Sequence, residues 1–231
     1  MELILVRHAA VATPANLCYG QSDVALAAPA HHEVQRLSAR LTPLRAERAI
    51  RMFSSPLARC AQIAAPLAAQ LGAVLQYDVR LQELDFGRWE LQRWDDVPRA
   101  ELDAWAADLE QARPHGGESV AQLAARAGQW LAELERDTGR SSADAADAAD
   151  AADAADAADA ADAADAADAA APLAVVVTHA GVMRVLAALA LRVPLAATLD
   201  WSLAMGAQCH LRRRPASLGP SAGWSLVSWN G

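Results

Sequence analysis

Two histidines close short apolar runs: Leu3-Ile4-Leu5-Val6-Arg7-His8 and Val175-Val176-Val177-Thr178-His179. A third run, Ile50-Arg51-Met52-Phe53, leads through Ser54-Ser55-Pro56-Leu57-Ala58 to Arg59. If these runs are neighbouring strands of an open α/β sheet, their carboxyl ends share one rim, which is where such sheets bind ligands. Two guanidiniums and two imidazoles on one rim form an anion pocket, and the arginine fork matches phosphate oxygens. Taken singly, each residue reads as an ordinary loop side chain. The combination is what points to chemistry.

Other routes to phosphate-ester chemistry are missing. The chain has no lysine and so no Gly-x-x-x-x-Gly-Lys loop. No cysteine has an arginine six positions on, and no Asp-x-Asp pair occurs. Histidine remains as the nucleophile. Cys18, Cys60 and Cys209 lie far apart, without metal-ligand spacing or a disulfide framework. Neither a metal nor a cofactor is expected.

The 20 basic side chains are all arginine and face 28 acids, for a net charge of −8. Nine of those acids lie in nine consecutive Asp-Ala-Ala triplets from Asp144 to Ala170, and outside that tract 19 acids meet 20 arginines. Such balance argues against nucleic acid or a membrane surface as partner. At about 100° per residue, a helical triplet drifts by about 60°, so the aspartates wind around the whole cylinder and leave no apolar stripe to dock. The tract reads as a solvated spacer, inserted in a surface loop of one domain spanning residues 1–231. His179, Arg184 and Arg192 interrupt the longest apolar stretch, Leu173 to Ala197, which excludes a membrane span there. Met1-Glu2 opens directly onto a strand with no basic segment, so a cytoplasmic chain is expected.

Strands are expected at Glu2 to Val6, Ile50 to Phe53, Ala73 to Gln76, Leu173 to Val177, Cys209 to Arg212 and Trp224 to Ser228. Helices are expected at Pro29 to Leu41, Leu57 to Leu71, Arg99 to Gln111, Val120 to Asp137 and Gly181 to Leu191. Gly72 suits the end of the second helix, and Ser119 with Gln122 gives the fourth a capping box. Arg80 to Trp94 is irregular. The alternation predicts an α/β fold with a mostly parallel sheet covered on both faces.

Val6-Arg7-His8, Ser54 to Arg59, Leu81-Gln82-Glu83 and Thr178-His179-Ala180-Gly181 resemble, in order, the motifs of the histidine phosphatase (phosphoglycerate mutase-like) superfamily. The resemblance implies a three-layer α/β/α sandwich and a metal-independent phosphohistidine intermediate. It makes His8 the nucleophile and sets Arg7, Arg59 and His179 around the phosphoryl oxygens. Glu83 becomes the acid that protonates the leaving alkoxide and later deprotonates the attacking water. The sequence departs from the family pattern at Ala9, Ala10-Val11, Pro14 (with Asn16 two positions late) and Ile63.

Cys18 to Leu26 resembles the family loop over the substrate, making Tyr19 and Gly20 candidate contacts, with Ala180 beside them; Asp23 reads as a turn residue. Together with Glu83 to Glu90 and Pro114 to Ser119, this loop resembles the α-ribazole phosphatases. That implies α-ribazole 5′-phosphate, or adenosylcobalamin 5′-phosphate, as substrate in cobalamin biosynthesis. Alternatives are a broad-specificity small-molecule phosphatase, a mutase, and a catalytically silent phospho-ligand module; against the mutase, the only adjacent arginines are Arg212 to Arg214, far along the chain from Phe86. His115 reads equally as a specificity contact or a loop residue before a helix cap. Trp89, Trp94 and Trp105 read as core before they read as a wall for an aromatic base. The expected partner is a small phosphate ester, with a homodimer left open.

Overall fold

The computed structural model describes residues 1–45, 48–149, 172–214 and 223–231. In chain order the elements are β1 (Glu2–Arg7), α1 (His31–Arg45), β2 (Ile50–Ser54), α2 (Ala58–Leu71), β3 (Val74–Tyr77), α3 (Arg99–Ala107), α4 (Val120–Ala149), β4 (Leu173–Thr178), α5 (Ala180–Leu191), α6 (Leu195–Leu199), β5 (Gln208–Arg214) and β6 (Gly223–Trp229). The six strands form one sheet in the order β3-β2-β4-β1-β5-β6. The first four run parallel, and β5 and β6 close the sheet antiparallel.

Alternation along the strands explains the layers. Leu3, Leu5, Phe53, Ala174 and Val176 point to one face, against Leu123, Ala127, Trp130 and Leu134 of α4 and Val182, Met183 and Leu186 of α5. Ile4, Val6, Met52, Val175 and Val177 point to the other, against Val34, Leu37 and Leu41 of α1 and Ile63, Ala64 and Leu67 of α2. The helical residues recur at three- and four-residue spacing, so each helix presents one apolar stripe to the sheet. Burying each such Leu or Val contributes about 1.5–3 kcal/mol. The three-layer α/β/α sandwich of phosphoglycerate mutase-like folds is the result, with a mixed sheet that is parallel where the site lies.

Several boundaries differ from those expected. Pro29 sits outside α1, because the first helical bond runs from the Val34 N–H to the Ala30 carbonyl. α3 stops at Ala107, before Gln111, where Asp108 leaves the helical region at φ −143°, ψ 71°. α4 runs past Asp137 and takes in the first two Asp-Ala-Ala triplets; residues 150–170 of the tract lie outside the described residues. Two signals hold as expected. Gly72 ends α2 at φ 58°, and Ser119 and Gln122 exchange hydrogen bonds of 2.8 and 3.2 Å.

Far from the histidine-bearing rim, Glu2 at the start of β1 is 1% exposed and meets Arg48, His210 and Arg212 at 2.9–3.1 Å. Burial alone would raise its carboxyl, but His210 and Arg48 hold it below its usual range. No described helix is long and apolar enough to cross a membrane.

Candidate active site

Register brings the histidines together. β1 pairs with β4 so that Val6 faces Val177 and Arg7 faces Thr178, which makes His8 and His179 the next residues off two adjacent strands. The His8 N–H bonds the Thr178 carbonyl at 3.0 Å, and the two rings lie 5.3 Å apart. β2 faces β4 through Ser54 and Val177, so Ser55 leaves the sheet at the same level and α2 then delivers Arg59 from its first turn. His8 is 1% exposed, and Arg59 and His179 are wholly buried.

The bonds around the rings fix their tautomers. His8 Nδ1 lies 2.7 Å from the Ala9 carbonyl, which only accepts, so Nδ1 carries the proton and Nε2 keeps its lone pair. Burial, helped by Arg59 and Arg7, pushes the His8 imidazole down to about 4, so the ring is neutral at pH 7. Arg59 Nε donates to His179 Nδ1 at 3.3 Å, which leaves the proton on Nε2 to bond Ser55 Oγ at 2.8 Å. Burial, then Arg59 and His8, hold His179 well below its ordinary value. Both of its nitrogens are engaged by protein atoms, so His179 orients Arg59. To hold an oxygen, as the resemblance implies, it must exchange one of those bonds.

Arg59 also donates to the Ser22 carbonyl at 2.9 Å and the Gly20 carbonyl at 2.5 Å, with the Tyr19 ring over it at 5.0 Å. Arg7 bonds the Leu203 carbonyl through Nη1, while its buried Nε has no hydrogen-bond partner. Neither guanidinium has a carboxylate ion-pair partner among the described residues. Such charge is costly to bury unless an anion answers it.

Glu83 approaches the same rim from the irregular segment. Its Oε1 accepts from the Leu84 N–H at 3.0 Å and its Oε2 from the Gly181 N–H at 3.2 Å, in the first turn of α5. A Cβ at position 181 would lie 2.3 Å from Oε1, so only glycine admits the carboxylate there. Arg7, Tyr19, Gly20 and Glu83 line a cavity of ≈ 400 Å³ whose other walls include Val11, Phe86, Trp94 and Met205. Among the described residues no cluster of three or more His, Cys, Asp or Glu is placed to hold a metal ion.

Other candidates fall elsewhere. Ala180 opens α5 and packs on the core without lining the cavity. His115 does not line the cavity: it is 1% exposed, with its ring against Phe86 and Trp89. The Asp23 carboxylate, expected to serve its own turn, reaches the Ala58 N–H at 2.8 Å and caps α2. Trp89 is core, Trp105 packs beside it, and Trp94 alone of the three reaches the cavity. Asn16 is tied to Asp95 at 2.8 Å. His31 and His32 are exposed.

Sequence reasoning gave Glu90 no role. Its carboxylate accepts from the Gln21, Ser22 and Phe86 N–H groups and from Ser22 Oγ, at 2.5–3.0 Å. It ties the loop that supplies Arg59's acceptors to the segment that carries Glu83. The only trace in the sequence is its place seven residues after Glu83.

Residues 3–146 match the model of the histidine phosphatase superfamily (branch 1). Over 87 residues the chain is 40% identical to a glucosyl-3-phosphoglycerate phosphatase of Mycobacterium tuberculosis, a match covering 36% of this chain and only 38% of that relative. The solved structure of a mycobacterial glucosyl-3-phosphoglycerate phosphatase superposes with a TM-score of 0.73 at 25% identity, covering 100% of this chain and 98% of the other. The alpha-ribazole phosphatase of Shigella flexneri superposes at 0.74 with 19% identity, over 100% and 96% of the two chains, a likeness of fold.

Proposed function

The chain belongs to the histidine phosphatase superfamily (branch 1), and on that footing we propose that it hydrolyses phosphomonoesters through a phosphohistidine on His8. One observation carries this reading: a neutral imidazole with an unshared Nε2 lone pair, flanked by two guanidiniums lacking a carboxylate partner among the described residues. His8 Nε2 attacks phosphorus as the P–O bond to the alcohol breaks, and Glu83 supplies the proton that makes the alcohol neutral. Arg7 and Arg59 take the charge that gathers on the equatorial oxygens. Water then attacks phospho-His8, passing its proton to Glu83, and the N–P bond breaks to release phosphate and restore the enzyme. With radiolabelled substrate quenched during turnover, the chain acquires an acid-labile, base-stable label that His8→Ala lacks. Turnover without any such label overturns the covalent route.

The ester we propose is α-ribazole 5′-phosphate. Beyond Arg7, Glu83 and the Tyr19 hydroxyl the cavity walls named above are apolar, and they include the rings of Tyr19, Phe86 and Trp94, which suits an uncharged alcohol bearing a flat aromatic base. The 40% identity over 87 residues favours a second reading, glucosyl-3-phosphoglycerate as substrate. That ester carries a carboxylate besides its phosphate, and Arg7 is the one cation among the cavity-lining residues. Measuring kcat/KM on both esters and on simple sugar phosphates decides between them. Equal turnover across the panel leaves a broad-specificity phosphatase, and preference for the carboxylate-bearing ester reverses the assignment.

A further inference from the structure

We infer that Arg126, on α4 and outside the cavity, is a positioning residue that sets the Glu83 carboxyl for proton transfer. A guanidinium has five N–H donors, and all five are spent here. Nε and Nη2 grip the Glu118 carboxylate at 2.7 and 2.8 Å. Nη1 donates to the carbonyls of Arg80 at 2.7 Å and Gln82 at 2.8 Å, and Nη2 to that of Glu83 at 2.9 Å. Three carbonyls within four residues of irregular backbone thus converge on one rigid plane. The Glu83 carbonyl takes a second bond from Gln21 Nε2 at 3.0 Å, which fills both of its lone pairs.

This geometry exceeds what an ion pair needs. A Lys or a lone Glu118 partner would satisfy charge, but only the planar fork can hold Glu118 and three carbonyls at once. Glu83 sits between two fixed points, its carbonyl on Arg126 and its carboxylate on the Gly181 N–H. Loosening the first lets the second drift, and a displacement of about 1 Å at a reacting group costs about 100-fold in rate.

The inference rests on Glu83 being the proton donor, and leaving groups separate the two claims. An alkyl phosphate departs as an alkoxide and needs the proton, whereas p-nitrophenyl phosphate departs as a stabilised phenolate without it. Glu83→Gln, Arg126→Lys and Glu118→Gln are each assayed on both esters, with folding checked by circular dichroism. In Arg126→Lys the alkyl ester loses about 30- to 100-fold in kcat/KM, which reports transfer to His8 and excludes the later hydrolysis common to both esters, while p-nitrophenyl phosphate stays within about threefold; Glu118→Gln shows the same selectivity, more weakly. Equal losses on both esters mean that Arg126 only stabilises the fold and overturn the inference. Selectivity in Glu83→Gln with none in the other two does the same. If Glu83→Gln itself shows no selectivity, the donor assignment has failed first. Should Arg126→Lys not fold, Glu118→Gln alone decides.

Discussion

The nucleophile and the acid reach the same rim by different means. His8 and His179 are delivered by parallel strands whose backbone ladder fixes their level, with His8 bonded directly to the Thr178 carbonyl. Glu83 rides on residues 80–94, where three short 3-10 turns replace regular structure. Side chains hold that segment instead: its own Glu90 ties it to the loop at 20–22, and Arg126 reaches across from α4. A ladder distributes its constraint over many equivalent bonds, whereas a side-chain clamp concentrates it in one or two. The acid half of the site should therefore fail by single substitutions that the nucleophile half tolerates.

Gly181→Ala tests that contrast most severely. The new methyl would stand 2.3 Å from Glu83 Oε1, and the flexible end of Glu83 can yield without disturbing the sheet. The expected result is a normally folded chain with about 100-fold lower kcat/KM on alkyl phosphates. A neighbouring methyl that left both ester types equally active would show that the carboxylate has no fixed place. Next in size is Glu90→Gln, which sets an amide NH2 against either the Gln21 and Phe86 N–H groups or the Ser22 N–H and hydroxyl, and frees the loop whose carbonyls orient Arg59. Stability should fall by about 1–3 kcal/mol, with kcat/KM about tenfold lower on both esters; a loss confined to alkyl esters would put Glu90 on the acid side alone.

The last test concerns the nucleophile half and appears in stability against pH. Folding holds His8 at about 4 by burial and the two arginines, against about 6.5 in an unfolded chain. Between those values the unfolded chain takes up a proton that the folded chain refuses. Stability is thus complete above about pH 6.5 and declines as pH drops toward 4, by on the order of 3 kcal/mol. Thermal unfolding of the wild type and of His8→Gln should diverge by that amount across the window; parallel curves would assign the acid sensitivity to other groups.

Legibility in the sequence divides along the same line. The strands ending in Arg7-His8 and Thr178-His179 were readable because an apolar run followed by a histidine is a local pattern with a period. Arg59 was readable through its place in the first turn of α2. Glu83 was placed only by resemblance, since nothing periodic surrounds it. Glu90 and Gly181 went unassigned for a physical reason: a carboxylate that meets N–H groups in another loop, or a glycine required by a distant carboxylate, leaves no periodic pattern. The burial of His115 is equally illegible, because the Phe86 and Trp89 rings that enclose it come from another segment of the chain.

Glu2, at the far end of the strand that presents His8, has a consequence for assembly. Sliding β1 by two positions would keep every apolar residue on its proper side, so oily contacts alone oppose such an error weakly. It would, however, pull Glu2 away from Arg48, His210 and Arg212 and leave a buried carboxylate without answering charge, at a cost of about 3–5 kcal/mol. The cluster thus works as a detent: it selects the one alignment in which His8 emerges beside His179, though it stands at the opposite edge of the molecule from the chemistry.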